Sequence, residues 1–184
     1  MCIRDRSMTR HLPLRPDIDD GIDRKVLTQL RARFMRINHG RLQRAMQALS
    51  SRQQRVLTLL PLLFHVNHPL LPGYVSAQTP AGLAGFEPGA ELLAEAQRLT
   101  RSFAYKPPRA PAPTPIHGLF LMGSLGTLAQ AEQSDMDLWV CHASELDSDA
   151  RDALRRKCDL LQSWAASQGC LLYTSDAADD LLCV

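Results

Sequence analysis

The 184 residues suffice for one well-buried domain, or a small domain with a helical extension, and exclude a large multidomain machine within these residues alone. A formal net charge of +2 with 45% hydrophobic and 5% aromatic residues describes an ordinary, slightly basic solvated surface, with a basic channel for polyphosphate or nucleic acid as the sharper alternative; no nucleic-acid partner is expected. No run approaches the roughly 18 to 20 apolar residues that cross a bilayer, so a soluble, cytoplasmic chain without a membrane span is the expectation.

In chain order, residues 1–7 (MCIRDRS) lack the apolar stretch of a secretory signal and read, with residues 171–184 (LLYTSDAADDLLCV), as non-native additions. Residues 1–7 hold two Arg and one Asp and residues 171–184 three Asp, so without them 19 basic and 15 acidic residues leave a net of +4. Residues 8–105 read as a helical region. Leu27, Leu30, Phe34 and Ile37, then Leu42, Ala45, Met46 and Leu49, recur at helical spacing and predict one long amphipathic helix or two. Ser50 and Ser51 precede Gln53 and Gln54 by three residues, a capping-box pattern that predicts a new helix over Arg52–Leu60, ended or kinked by Pro61. Leu92, Ala96, Leu99 and Phe103 mark a further helix. Residues 106–115 (KPPRAPAPTP) carry enough proline to favour an extended linker.

After this linker the period changes. Residues 116–122 (IHGLFLM) form a short apolar run ending in Gly123-Ser124, which predicts a buried strand turning directly into a helix. Met136, Leu138 and Val140 alternate with Asp135, Asp137 and Trp139, so a second strand places both aspartates on one face. Leu154, Cys158, Leu161 and Ala165 predict a helix through Asp149–Ser167, stopped at Gly169. The expected fold class is α+β: a helical N-terminal region followed by strand, helix, strand, helix over residues 116–170.

Gly123-Ser124 followed by Asp135-Met136-Asp137 carries the candidate chemistry. Glycine lets a backbone approach phosphate, Ser124 adds a hydroxyl donor, and a helix starting there would aim free amides at the anion. Two carboxylates at alternate strand positions supply hard oxygen ligands suited to Mg²⁺. The bland alternative is a Gly-Ser turn beside two surface aspartates. The five cysteines form no C-x-x-C pair and read as reduced thiols. His65 and His68 could bind a metal, but lie beside Pro69 without a third ligand and read as structural. Arg101, Lys106 and Arg109 read equally as phosphate-neutralising or solvated charges, His117 as a packed histidine, and Trp139 equally as an adenine platform or as packing under the next helix.

The Gly-Ser and Asp-x-Asp elements resemble those of polymerase β-like nucleotidyltransferases. Residues 60–76 (LPLLFHVNHPLLPGYVS), 102–107 (SFAYKP) and 116–140 resemble class I adenylate cyclases of gammaproteobacteria, Pseudomonas-like ones especially, with similarity running from about Leu27 to Cys170. The resemblance implies ATP as substrate, 3′,5′-cyclic AMP and pyrophosphate as products, and two Mg²⁺ ions held by Asp135 and Asp137. Other nucleotidyltransfer to a separate acceptor, and a non-catalytic nucleotide-binding or helical interaction module, stay open as alternatives. The fold usually adds a third carboxylate from a later strand, expected here after Gly169-Cys170. Asp176, Asp179 and Asp180 lie among alanines and serine rather than in an alternating strand, so none is assigned that role, and residues 116–170 read as an incomplete, inactive core. Regulatory partners and a regulatory region are not legible.

Overall fold

The computed structural model describes residues 23–107, 114–131 and 134–176. The elements run α1 (Arg24–Ala48), α2 (Ser51–His65), α3 (Ala90–Leu99), β1 (Ile116–Leu121), β2 (Met136–His142), α4 (Ser148–Ser167) and β3 (Leu172–Asp176). The chain divides into two compact units, residues 1–43 and residues 44–184.

The described part of the first unit is the N-terminal stretch of α1. It is a single helix, opened by the Asp23 carboxylate, which accepts from Lys25 N at 2.8 Å. The predicted stripe Leu27, Leu30, Phe34 and Ile37 lies on it, and all four side chains are exposed.

In the second unit, the last turn of α1 buries Ala45, and Leu49 follows it into the core. The capping box is present: Ser50 Oγ accepts from Gln53 N and Gln53 Oε1 accepts from Ser50 N at 3.0 Å. Of the two outcomes expected at Pro61, an end or a kink, the first does not occur: α2 continues through the proline. A proline inside a helix costs about 3 kcal/mol. Val56, Leu59, Leu60, Leu62, Leu63 and Phe64 are all buried around it, and each such side chain contributes roughly 1.5–3 kcal/mol. Packing therefore outweighs the lost hydrogen bond and carries the helix to His65. Helix α3 stops at Leu99, so Phe103 is buried in the following coil rather than in the helix.

The sheet has the order β1-β2-β3, with β1 antiparallel and β3 parallel to β2. Met136, Leu138 and Val140 are buried in one core with Leu154, Leu161 and Ala165 of α4 and Leu172 of β3. The alternation predicted for β2 is therefore present from Met136 to Val140, whereas Asp135, expected on the strand, lies just before it. Asp147 caps α4, its carboxylate accepting from Ala150 N at 2.8 Å, and Gly169 at φ +73 follows its end. His117 stands at the irregularity between Ile116 and Gly118 and is exposed, not packed as expected.

Two further expectations are corrected. No helix follows β1: residues 122–131 form successive turns. Gly123 and Gly126 adopt left-handed backbone at φ +69 and +72. Side chains then take the backbone groups a helix would use: Thr127 Oγ1 donates to Ser124 O at 2.6 Å and accepts from Ala129 N at 3.1 Å. The observed order after the linker is strand, turns, strand, helix, strand. The third strand is the second correction. Residues 172–176, set aside from sequence as part of a foreign tail, pair along β2 from Met136↔Leu172 to Val140↔Asp176. Residues 1–7, Arg109, Asp179 and Asp180 lie outside the described residues. Among the described residues no helix is long and apolar enough to cross a membrane.

Candidate functional site

The antiparallel ladder between β1 and β2 builds the site. Leu121 stands opposite Leu138, and Met122 N donates to Asp137 O at 2.7 Å, so the chain leaves β1 directly beside the start of β2. Gly123 then turns away at φ +69, with the Asp137 carboxylate lying against its α-carbon. A β-carbon at this position would overlap Asp137 Oδ2. Glycine is thus required twice, by the backbone angle and by the space the carboxylate occupies. Asp135 and Asp137 are both half-buried and flank the buried Met136.

Ser124 lies in the same turn. Its Oγ is 2.9 Å from Ser134 Oγ, which in turn accepts from Ala131 N at 2.8 Å. This clasp joins the two ends of the ten-residue excursion and holds Ser134 beside Asp135. Sequence reading identified Gly123, Ser124, Asp135 and Asp137, and the structure brings Gly123 against Asp137 and Ser124 against Ser134. It missed Ser134, because a serine in a polar loop gives no periodic signal. No helix N-terminus stands at Gly123-Ser124, so the helix amides and dipole expected there are not supplied by this turn.

The donor set fits Mg²⁺ as a site completed by substrate. Two hard carboxylates and neighbouring hydroxyls suit a cation that binds through one or two carboxylates plus phosphate oxygens. Among the described residues no group of three or more His, Cys, Asp or Glu side chains is placed to hold a metal. In the register of β3, Tyr173 and Ser175, neither a carboxylate, stand opposite Asp137 and Trp139. Phe120, half-exposed, pairs with Trp139 on the aspartate face. Trp139 does not join the core beneath α4, which leaves its indole on the side of the carboxylates.

The other candidates lie elsewhere. His65, Asn67, His68, Tyr105 and Lys106 line a separate cavity of about 970 Å³, together with Leu83, whose bridge to Ile116 puts it at the opposite end of β1 from Gly123. His65 Nδ1 accepts from Leu83 N at 3.2 Å and its Nε2 faces Tyr105 Oη at 3.2 Å. Burial holds its pKa below the ordinary 6.5, so the neutral ring is favoured. His68 Nδ1 accepts from Leu70 N at 3.2 Å, and the ring meets Phe103 edge-on at 5.2 Å. Both histidines are held by the fold, in keeping with a structural reading. Lys106 stands at this cavity, not at Ser124.

Residues 26–173 match the family described as adenylate cyclase NT domain. The chain is 41% identical over 143 residues to the adenylate cyclases of Escherichia coli K12 and Salmonella typhimurium LT2, and 40% identical over 144 residues to that of Yersinia pestis. Each alignment covers 76% of this chain and 17% of the relative, so the chain spans about a sixth of the length of these relatives. No solved structure matches it. The match takes in the turn and both aspartates and ends at Tyr173, the second residue of β3, and the chain belongs to the adenylate cyclase NT domain family.

Proposed function

We propose that this domain provides the metal- and phosphate-binding part of an enzyme that converts ATP into 3′,5′-cyclic AMP and pyrophosphate, on a polymerase β-like nucleotidyltransferase core. The observation that carries the reading is the packing of Gly123 against the Asp137 carboxylate, with Asp135 two residues away, just before β2 begins. In the reaction the ribose 3′-oxygen forms a bond to the α-phosphorus, the bond from that phosphorus to the bridging oxygen breaks, and the 3′-hydroxyl proton is released.

Asp135 and Asp137 would hold two Mg²⁺ ions, whose charge, when bound, offsets that of the polyphosphate. The chain's own part is positional. Gly123 keeps the approach to Asp137 clear of side-chain atoms, and the Ser124–Ser134 clasp fixes the turn beside it. Nucleophile and electrophile belong to one molecule, so holding ATP in an attack-ready shape is the main demand on the protein.

The test is Asp135→Asn and Asp137→Asn in a full-length cyclase carrying this domain. Each is expected to lower cyclic AMP formation at least a hundredfold, with the circular dichroism spectrum unchanged, because each removes a ligand charge rather than core volume. Parental turnover in either variant overturns the assignment. Ser124→Ala is expected to cost less than either, since turn amides remain.

A further inference from the structure

We propose that a second hollow, beside the turns that follow Gly123, is an anion subsite for the polyphosphate end of the nucleotide, with Arg44 as its cation; this rests on the function proposed above. The hollow measures about 430 Å³ and is lined by Arg44, Gln47, Ala48, Thr127, Gln130 and Ala131. None of these is a carboxylate, and one is a permanent cation.

The two polar side chains that matter are aimed by a single glycine. Arg44 Nε donates to Gly126 O at 3.0 Å, across 82 positions of sequence. Gly126 N donates to Gln130 Oε1 at 2.7 Å. The backbone bond through Nε fixes the plane of the guanidinium and is made by neither of its two Nη groups. The bond at Gln130 Oε1 likewise leaves the Nε2 amide as a donor. A guanidinium fork and an amide N–H₂ held by the N–H and the C=O of one glycine form a donor array, and the ligand class it matches is an oxyanion with several acceptor oxygens.

Placement makes that oxyanion polyphosphate. Gly126 is three residues from Gly123, at most about 11 Å along an extended chain. Gly123 itself touches Asp137. One nucleotide can therefore have its α-phosphate at the aspartates and its outer phosphates at Arg44. The site needs such a cation, because two aspartates and a triphosphate concentrate negative charge that metal alone must otherwise balance.

Inorganic pyrophosphate is the probe, titrated calorimetrically into the 184-residue chain without metal. Two variants separate ligation from scaffolding. Arg44→Gln removes the charge. Gln130→Glu keeps the acceptor for Gly126 N and replaces only the amide donor with an anion, so the turn stays intact even where Arg44→Gln unfolds it. Both are expected to weaken pyrophosphate binding at least tenfold, with the Gln130→Glu unfolding midpoint within about a degree of the parent. Arg44→Lys is expected to fall between parent and Arg44→Gln, having charge without the fork. Failure of the parent to bind, or affinity unchanged in Gln130→Glu, overturns the subsite. The cyclase reading fails separately: pyrophosphate binding that depends on Arg44, alongside parental cyclic AMP formation in Asp137→Asn, leaves the subsite standing and removes the reaction.

Discussion

Gly123 and Gly169 share nearly the same backbone, at φ +69 and +73, yet their surroundings differ completely. A β-carbon at Gly169 meets nothing within 4 Å, whereas one at Gly123 overlaps the Asp137 carboxylate. Alanine at either position incurs the left-handed penalty of about 1–2 kcal/mol, so the pair isolates the effect of displacing Asp137. In the full-length enzyme Gly123→Ala is expected to cut cyclic AMP formation at least tenfold, and Gly169→Ala to leave it within about twofold. Equal activity in the two variants would show that the aspartate is not held by this contact. The Gly-Ser and Asp-x-Asp pattern was legible in the sequence because residue type and spacing alone define it. Ser134 and Arg44 were not, since a loop hydroxyl and a helical arginine acquire meaning only from what the fold brings beside them.

Lys157 was equally invisible at the residue scale: it occupies one position in the polar part of the α4 pattern, yet it is 1% exposed, with Nζ donating to Val66 O at 3.3 Å. Burial pulls its pKa down from 10.5 to about 8. Below pH 8 it is charged in both folded and unfolded chains and the burial penalty is complete. Between 8 and 10.5 the unfolded chain holds a proton that the folded chain releases, so stability rises with pH. The buried Cys170 thiol acts in the opposite sense: burial raises it from 9.0 to about 11, so above pH 9 the folded chain keeps a proton the unfolded chain loses. The clean window is therefore pH 8 to 9, where the unfolding midpoint of the chain is expected to climb. Lys157→Met should abolish that slope and raise stability at pH 7 by about 1–3 kcal/mol. A slope that survives in the methionine variant assigns it to another group.

Elements were readable where a local signal and the tertiary environment agree. The Ser50–Gln53 box, the alternation of β2 and the stripe of α4 each appear where their spacing predicts. They failed where side chains or packing override the local signal: burial of Leu59 through Phe64 carries α2 past Pro61, and Thr127 and two left-handed glycines convert an expected helix into turns. The capping box offers a direct test at this scale. Ser50→Ala removes the acceptor of Gln53 N and is expected to cost about 1 kcal/mol, read as a lower midpoint in urea at unchanged m-value. Pro61→Ala should move the midpoint upward, by restoring a backbone donor inside a helix already held by its neighbours.

At the scale of the whole molecule, β3 decides how the sheet is completed. Residues 171–184 read from sequence as a foreign addition, and a two-strand sheet with an open β2 edge followed from discarding them. In the fold, Leu172 is buried against the core, and Gln162 Nε2 of α4 donates to Thr174 Oγ1 at 2.6 Å. Residues 172–176 therefore cover one edge of β2 and lie under α4, whatever their origin. Ending the chain at Cys170 would uncover that edge and remove Leu172, and unpaired strand edges template aggregation. We predict that such a shortened chain unfolds at lower temperature and aggregates, while the 184-residue chain stays monomeric by light scattering under the same conditions. Equal stability would show that β3 adds no net cohesion. Completing the sheet does not complete the chemistry, because the positions of β3 opposite Asp137 and Trp139 are Tyr173 and Ser175. With Asp137 on that face and Asp135 just before the strand as the carboxylates there among the described residues, Mg²⁺ would remain mostly hydrated and poorly fixed. The 184-residue chain is thus expected to make no detectable cyclic AMP from Mg-ATP. Replacing Tyr173 with Asp is expected to tighten Mn²⁺ binding, followed by paramagnetic relaxation, at least threefold, because a third carboxylate then stands opposite Asp137; unchanged Mn²⁺ affinity would show that ligand count on this face is not what limits the site.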